Sequence, residues 1–261
     1  MSGTVELRPT IDRAWLEREA AREPLTHAFA LWDLTRSPAA VRFVSVLRGD
    51  ATVGYLLVWL GRRERPVVHW YGRADEAAGL ADGFPDPPLV AVVPDEVEPI
   101  LRRKFHGATV ASLKLMFRER APVPAGGGAV RRLRREDLPE LVAFVRQHRA
   151  AELEAYADLE PATEPAWGAF QDGRLVGLAR AEVRLPPLWV VSGVYVDPRH
   201  RGQGHGRAVV LAVVEAAERV GAATGLYVRD EPTPASRLYD QLGFRQVGRR
   251  RWMDVTGPGG R

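Results

Sequence analysis

The chain of 261 residues has no cysteine, which excludes disulfide frameworks, thiol nucleophiles, acyl-cysteine intermediates and cysteine-ligated metals. Its longest apolar runs, such as Val53–Leu60, fall far short of the roughly 20 residues that a membrane-spanning helix needs. The first residues lack a basic segment followed by an apolar core, so we expect no signal peptide, no membrane partner and a cytoplasmic protein. No His, Asp or Glu cluster has metal-ligand spacing, so we also expect no metal.

Lysine is nearly absent as well. Lys104 and Lys114 are the only lysines among 37 basic residues, and the net charge is +4. A basic chain raises the question of nucleic-acid binding. However, acidic residues are interspersed with the arginines, and the densest basic run, 131–135, precedes a helix start at Asp137. We interpret this run as a solvated edge and expect no nucleic-acid partner.

The most informative feature that is present is a glycine-rich turn between a strand and a helix. A β-branched run, 190–196, ends at Asp197-Pro198, and an apolar helix begins near residue 204. Between them lies Arg201-Gly202-Gln203-Gly204-His205-Gly206. Glycines let backbone N–H groups approach an anion closely, and a helix N-terminus adds its positive dipole end. The pattern therefore predicts a phosphate cradle.

Several interpretations of this turn compete. A Rossmann turn needs a third glycine where Arg207 stands, and no Gly-Lys-Ser/Thr sequence exists for a Walker motif. A glycine turn without any ligand is the plainest alternative. Residues 188–207 resemble the pyrophosphate loop of the GNAT N-acetyltransferases, in which a strand and Asp-Pro precede R-x-x-G-x-G. This resemblance implies acetyl-CoA as the co-substrate.

A second motif lies about thirty residues downstream. Thr233-Pro234 has the character of a helix N-cap followed by proline at the first helical position, and Gly243 is placed to end that helix. We expect Ala235, Leu238 and Leu242 to share its apolar face. The Leu238-Tyr239-x-x-x-Gly243-Phe244 pattern resembles the last helix of GNAT proteins, where the tyrosine faces the sulfur of CoA. One departure is Pro232, which stands where the family often has asparagine.

The resemblance implies a set of residues that bind the cofactor. Pantetheine resembles a peptide, so the open edge of the 194–196 segment can pair with it as a strand would. Ser192-Gly193 would suit a bulge that frees a backbone N–H to polarise the thioester carbonyl. The expected cofactor-binding residues are Val194, Tyr195, Val196, Arg201, Gly202, Gln203, Gly204, His205, Gly206 and Arg207.

Two catalytic roles follow from the same resemblance. Tyr239 stands where the family has its general acid, which would protonate the departing thiolate; packing is its alternative role. The strand 188–196 contains no carboxylate, so Glu182 on the preceding strand is the candidate general base. Asp230, Glu231, an ordered water or chain carbonyls are alternatives.

The two halves of the chain have a similar order of predicted elements. Residues 121–128 have the composition of a linker. They divide a first domain, 1–120, from a second, 129–261. Turns near Gly49 and Gly173 each join two predicted strands, and this correspondence indicates an internal duplication. For the second half we predict the helices 138–148, 150–157 and 204–220, the strands 166–171, 175–183, 189–196 and 226–229, the Tyr239 helix and a terminal pair, 244–247 and 251–255. The expected fold class is α/β with mixed sheets, as two tandem GNAT-like acyl-CoA N-acyltransferase domains.

The two halves are not equivalent in their expected ligand sites. Residues 72–83, where the first half should have its glycine turn, carry three acidic residues that oppose a pyrophosphate. We therefore expect a degenerate N-terminal copy, a layout similar to that of glycine N-acyltransferase-like proteins. The predicted function is transfer of an acetyl group from acetyl-CoA to a primary amine of a small molecule or peptide. A CoA-binding protein that has lost catalysis is the alternative, and a homodimer is left open.

Overall fold

The computed structural model describes residues 5–61, 65–75, 83–123, 129–150, 159, 161 and 163–256. These residues form two compact units. The first comprises Met1–Leu115, Val228–Glu231 and Val247–Arg261, and the second comprises Met116–Tyr227 and Pro232–Gln246. The helix predicted at 150–157 and most of the predicted linker lie outside the described residues.

The first unit combines helices with a mostly antiparallel sheet. Its elements are β1 (Val5–Arg8), α1 (Arg13–Arg22), α2 (Pro24–Arg36), β2 (Val41–Arg48), β3 (Ala51–Trp59), β4 (Val67–Tyr71), β5 (Leu89–Val93) and α3 (Glu98–Lys104). Strand β6 (Thr109–Arg118) begins in this unit and ends in the second.

The second unit carries the predicted motifs. Its elements are β7 (Val130–Arg132), α4 (Leu138–His148), β8 (Ala166–Gln171), β9 (Arg174–Arg184), β10 (Leu188–Val196), α5 (His205–Arg219), β11 (Ala223–Arg229), α6 (Pro234–Gln241) and β12 (Arg245–Val255). The ends of β11 and β12 belong to the first unit.

Each unit contains a pair of parallel strands beside antiparallel ones, so the predicted mixed α/β class is confirmed. In the first unit, β1 to β4 are antiparallel in chain order, β5 lies parallel to β4, and β12 is antiparallel to β5. In the second unit, β7 to β10 are antiparallel in chain order and β11 lies parallel to β10. In open sheets with parallel strands, ligands bind outside the carboxyl ends of those strands.

The sequence predicted most elements of the second unit to within a few residues. The two glycine hairpins are confirmed, with left-handed backbone at Gly49 (φ 60°), Asp172 (φ 50°) and Gly173 (φ 76°). The terminal pair is wrong, because Arg245–Val255 is one continuous strand. Gly248, between the two predicted strands, is not among the left-handed glycines, and the strand continues through it.

The buried face of α6 also differs from the prediction. Ser236, Tyr239 and Leu242 are buried, whereas Ala235 and Leu238 are partly accessible. The tyrosine therefore occupies the inner face that the apolar spacing had assigned to Leu238. None of the helices in the described ranges is long and apolar enough to cross a membrane.

Candidate functional site

The glycine turn adopts the open conformation that the sequence predicted. Gly202 (φ 77°) and Gly204 (φ 84°) are both left-handed, and a β-carbon built on either would meet nothing within 4 Å. Gly204 is the N-cap of α5 and supplies no side chain to cap it. Because the first N–H groups of an α-helix have no acceptor within the helix, these donors point into open space. The turn thus fits a phosphate group.

A buried carboxylate fixes the segment that leads into this turn. Asp197 is 4% exposed and accepts a hydrogen bond from the Arg199 N–H at 2.9 Å. Its Oδ2 also lies 2.8 Å from Arg199 Nη2, 3.6 Å from His148 Nε2 and 3.5 Å from His200 Nδ1. The hydrogen bonds from Arg199 hold the pKa of Asp197 well below its usual range. The network connects α4 to the end of β10.

The strand that precedes the turn has an open edge where the sequence predicted one. The parallel ladder between β10 and β11 covers Leu188–Val191 and Ala223–Leu226. Beyond it, the register with β9 shifts between Ser192 and Tyr195, and Gly193 is left-handed (φ 60°). This irregularity is the bulge predicted at Ser192-Gly193, and its presence is confirmed.

Several of the predicted binding residues contact one another around Tyr195. The Arg201 guanidinium lies 5.7 Å from the Tyr195 ring centroid, and its Nε donates to the Val196 carbonyl at 3.3 Å. The Arg149 guanidinium lies 5.5 Å from the same ring. His205, inside the turn, is held by Gln171, with Nε2 and Oε1 3.3 Å apart. The glycine turn, β10 and the β8–β9 hairpin are therefore joined by direct contacts.

Tyr239 is buried on α6, which begins as predicted. Thr233 caps the helix by accepting from the Ser236 N–H at 3.1 Å, and Ser236 Oγ accepts from the Thr233 N–H. The Tyr239 ring packs against Phe244, with centroids 5.9 Å apart. Burial raises the pKa of Tyr239 to about 12, although the charge of Arg149 opposes the shift. The phenol is therefore protonated at neutral pH, as a general acid must be.

The candidate bases are all paired or exposed. Glu182 lies on β9, with Oε1 3.0 Å from Arg180 Nη2, and Arg180 Nε donates to Ser192 Oγ at 3.1 Å. Asp230 lies in the first unit, 3.1 Å from Lys114 Nζ and 3.3 Å from Arg249 Nε. The hydrogen bond from Lys114 is the main cause that lowers the pKa of Asp230. Glu231 is exposed.

Two contacts near the turn could not be predicted from the sequence. His148 and Gln171, on separate elements, reach the Asp197 segment and the turn through contacts that no local pattern shows. Asp197 itself was visible as the Asp-Pro that ends the strand. Within the ranges that the structure describes, no group of three His, Asp or Glu side chains is placed to hold a metal ion.

Comparison with known proteins points to one family. Residues 129–244 match the acetyltransferase (GNAT) family. Mycothiol acetyltransferase of Thermomonospora curvata is 40% identical over 89 residues, which cover 33% of this chain and 30% of that relative. N-alpha-acetyltransferase RimI of Mycobacterium tuberculosis is 37% identical over 94 residues, covering 34% of this chain and 58% of that relative. Each match therefore spans less than two thirds of the relative.

A solved structure extends the similarity of fold to the whole chain. A tandem GNAT protein from the clavulanic acid biosynthesis pathway has a TM-score of 0.59 and 18% identity, covering 98% of this chain and 100% of that chain. At this identity the likeness concerns the fold alone. It supports the interpretation of the chain as two GNAT-like domains in tandem.

Proposed function

We propose that residues 129–244, which match the acetyltransferase (GNAT) family, act as a member of that family, and that the second unit transfers an acetyl group from acetyl-CoA to a primary amine. The observation that carries the proposal is the glycine turn. Gly202 and Gly204 leave open space in front of the N-terminus of α5, a helix of 15 residues. An anion is stabilised at such a helix end by the backbone N–H groups and by the helix dipole.

The proposed cofactor site runs from the turn along the edge of β10. The N–H groups of Gly202 to Arg207 would hold the pyrophosphate, with the exposed Arg201 adding positive charge. Residues Val194–Val196 would bind the pantetheine by hydrogen bonds of the strand type. The ladder between β10 and β11 supports this assignment because it ends at Val191 and Leu226, before that segment.

Acetyl-CoA supplies an activated thioester, and the reaction forms a C–N bond as the C–S bond breaks. Tyr239 would direct its phenolic proton at the departing sulfur. Because the pKa of Tyr239 is about 12 and the reference pKa of a thiol is about 8.5, complete transfer of the proton is uphill, and the phenol would act by a hydrogen bond that stabilises the negative charge developing on the sulfur. The incoming ammonium must first lose one proton, and the amine loses a second as the amide forms.

Glu182 is the proposed acceptor of the amine proton. It is half-buried on β9, beside Arg180, which in turn contacts Ser192 at the bulge. A carboxylate paired with a guanidinium is a weaker base than an unpaired one. A proton relay through water to Glu182 is therefore a second route.

The acceptor is proposed to be the amine of a small molecule or of a peptide N-terminus. The relatives named above include a mycothiol acetyltransferase and an N-alpha-acetyltransferase, which differ in this respect. The first domain, 1–120, is proposed to be a degenerate copy without a CoA site, joined through the linker 121–128 to the catalytic domain, 129–261. Asp75 supports this, because it is an exposed carboxylate close after β4, where an active copy would bind phosphate.

A second candidate function is CoA binding without catalysis. Pro232 in place of the family's asparagine and the lack of a carboxylate on β10 favour it. Release of the CoA thiol in the presence of an amine separates the two functions.

The test is a screen of amines with acetyl-CoA and a thiol reagent. Because the chain has no cysteine, the reagent reports CoA alone. The panel should include amino acids, amino sugars, polyamines and peptides with free N-termini. We expect saturable thiol release with one class, and calorimetry should give one acetyl-CoA site per chain. Binding without release by any amine would favour the second function, and two equivalent sites would contradict the degenerate copy.

A further inference from the structure

The first unit has a cavity of its own where its parallel strands separate. Strands β4 and β5 pair over Val67–His69 and Val90–Val92, and their ladder ends there. The cavity, of about 470 Å³, opens between the residues that follow them, Tyr71 on one side and Pro94 on the other. Roughly 300–1,000 Å³ is typical of small-molecule pockets. All of its lining residues belong to the first unit.

The charged groups of this cavity fall into two sets. The first set is already paired. Asp95 lies 3.1 Å from Arg251 Nε, and Arg249 Nε lies 3.3 Å from Asp230. Arg73, also in the lining, lies 3.1 Å from Asp75. These ion pairs belong to the framework of the unit, so they leave little charge for a ligand.

The second set is Arg250, Glu23 and Glu96, which have no ion-pair partner among the residues that the structure describes. Arg250 is half-buried and donates to two uncharged oxygens, the Arg249 carbonyl at 2.9 Å and Thr26 Oγ1 at 3.3 Å. Glu23 and Glu96 are exposed on the cavity rim. The cavity therefore presents one guanidinium and two carboxylates to a bound molecule.

Tyr71, which lines the cavity, and the buried His27, which packs against Tyr71, add no further charge. Burial lowers the pKa of His27 to about 4, and the charge of Arg250 acts in the same direction. Burial and nearby Glu23 and Glu19 raise the pKa of Tyr71 to about 12, and its hydroxyl donates to Glu19 at 3.3 Å. The His27 and Tyr71 rings pack at 4.4 Å. Both groups are neutral at pH 7, so Arg250 is the guanidinium of the lining that has no ion-pair partner among the described residues.

We propose that this cavity binds a zwitterionic ligand, a free amino acid or a dipeptide, with its carboxylate at Arg250 and its ammonium toward Glu23 and Glu96. A guanidinium matches a carboxylate in shape and charge. The two rim carboxylates oppose a phosphate ligand such as CoA by like-charge repulsion. The Tyr71 ring, Val53 and Pro94 give the side chain of the ligand an apolar surface. This site is separate from the acetyltransferase site proposed above.

The experiment is calorimetry on the full chain with the twenty amino acids and alanylalanine as probes. N-acetyl-alanylalanine and alanylalanine amide serve as the single-charge controls. We expect saturable binding of at least one zwitterionic probe, and Arg250→Gln should weaken it at least about tenfold, because the variant loses a charge-assisted hydrogen bond to the carboxylate of the probe. Glu23→Gln with Glu96→Gln should weaken it by a similar factor.

Two control variants locate the site. Arg249→Gln removes a guanidinium of the same cavity that is already paired with Asp230, so affinity should change less than about threefold. Gly204→Val, in the second unit, should leave the affinity unchanged. The proposal is overturned if no probe binds, if the acetylated and amidated forms bind equally well, or if Gly204→Val abolishes binding. If Arg250→Gln does not fold, the affinity of the double variant Glu23→Gln with Glu96→Gln, which changes two exposed side chains, still tests the proposal.

Discussion

A β-carbon built on Gly206 would lie 3.6 Å from Leu238 Cδ2 and 3.5 Å from Val196 Cγ2. These are ordinary van der Waals separations, so the glycine turn packs directly against the helix that carries Tyr239. Strand β10, the start of α5 and α6 therefore meet at one point. Two motifs that are separate in sequence form one packed unit, and Gly206 faces its interior while Gly202 and Gly204 face outward.

This difference between the glycines predicts unequal effects of substitution. In Gly204→Val, the left-handed backbone costs about 1–2 kcal/mol for a residue with a β-carbon, and the side chain enters the space proposed for phosphate. We expect acetyl-CoA affinity to fall more than about tenfold. Gly206→Ala is the matched control, because its methyl group meets Val196 and Leu238 at contact distance. Calorimetry measures both, and equal affinities would show that the turn is only structural.

The features that the sequence predicted correctly are those that depend on residues close together in the chain. The cap at Thr233, the left-handed glycines of the turn and the hairpins at Gly49 and Gly173 all follow from residues within a few positions. Contacts between distant segments were not predictable in this way. His148 reaches Asp197, and Arg118 reaches Leu242, only because of the fold.

The errors have the same origin. Gly248 permits a turn, and the sequence alone does not show that Arg251–Val255 pairs with Leu89–Val93 and continues the strand. Likewise, apolar spacing placed Leu238 inward, but the tertiary structure buries Tyr239 and Ser236.

Replacing Arg118, which is not a residue of the proposed site, is expected to lower the stability of the fold strongly. Its side chain is 6% exposed, and Nη1 lies 2.8 Å from Glu218 Oε1, while Nε donates to the Leu242 carbonyl at 3.1 Å. Arg118→Leu removes the guanidinium that pairs with Glu218 and donates to the Leu242 carbonyl. The free energy of unfolding should therefore fall by about 3 kcal/mol.

The neighbouring cation of α5 provides the control for this variant. Arg219 forms an exposed pair with Glu215 at 3.5 Å, so Arg219→Leu should cost less than about 0.5 kcal/mol. Urea denaturation compares the two variants, and hydrogen exchange of the α5 peptides reports whether the opening is local. Similar losses in both variants would contradict a structural role for the Arg118 pair.

The difference in stability between the parent and Asp197→Asn is expected to depend on pH. Its folded-state pKa lies well below the ordinary value of 3.8, chiefly because Arg199 donates to it. A lowered pKa stabilises the fold above the ordinary value, and this contribution is lost as the pH falls through the folded value. The melting temperature of Asp197→Asn should therefore lie below that of the parent at pH 7, and the gap should narrow below about pH 4. A gap that stays constant with pH would indicate a loss of packing rather than of charge.

Replacing Glu182 is expected to change the pH dependence of kcat. If Glu182 accepts the amine proton, Glu182→Gln should lower kcat by about tenfold or more and remove the acidic limb of the profile. Acetyl-CoA affinity should stay constant, because no turn residue is altered. Glu215→Gln, an exposed carboxylate on α5, is the control. An unchanged profile would assign the proton to water or to another group.

Tyr239→Phe is expected to slow turnover while leaving acetyl-CoA affinity almost intact. The ring still packs against Phe244, so α6 and the glycine turn keep their positions, and only the phenolic proton is lost. If that proton stabilises the departing thiolate, kcat should fall on the order of 10–100-fold. Since the pKa of Tyr239 is about 12, the parent should show no loss of this acid below about pH 11. Steady-state kinetics with the best amine, beside direct binding, measure both effects. An unchanged kcat in an assay limited by chemistry would reduce Tyr239 to packing, and a large fall in affinity would show that its hydroxyl binds the cofactor.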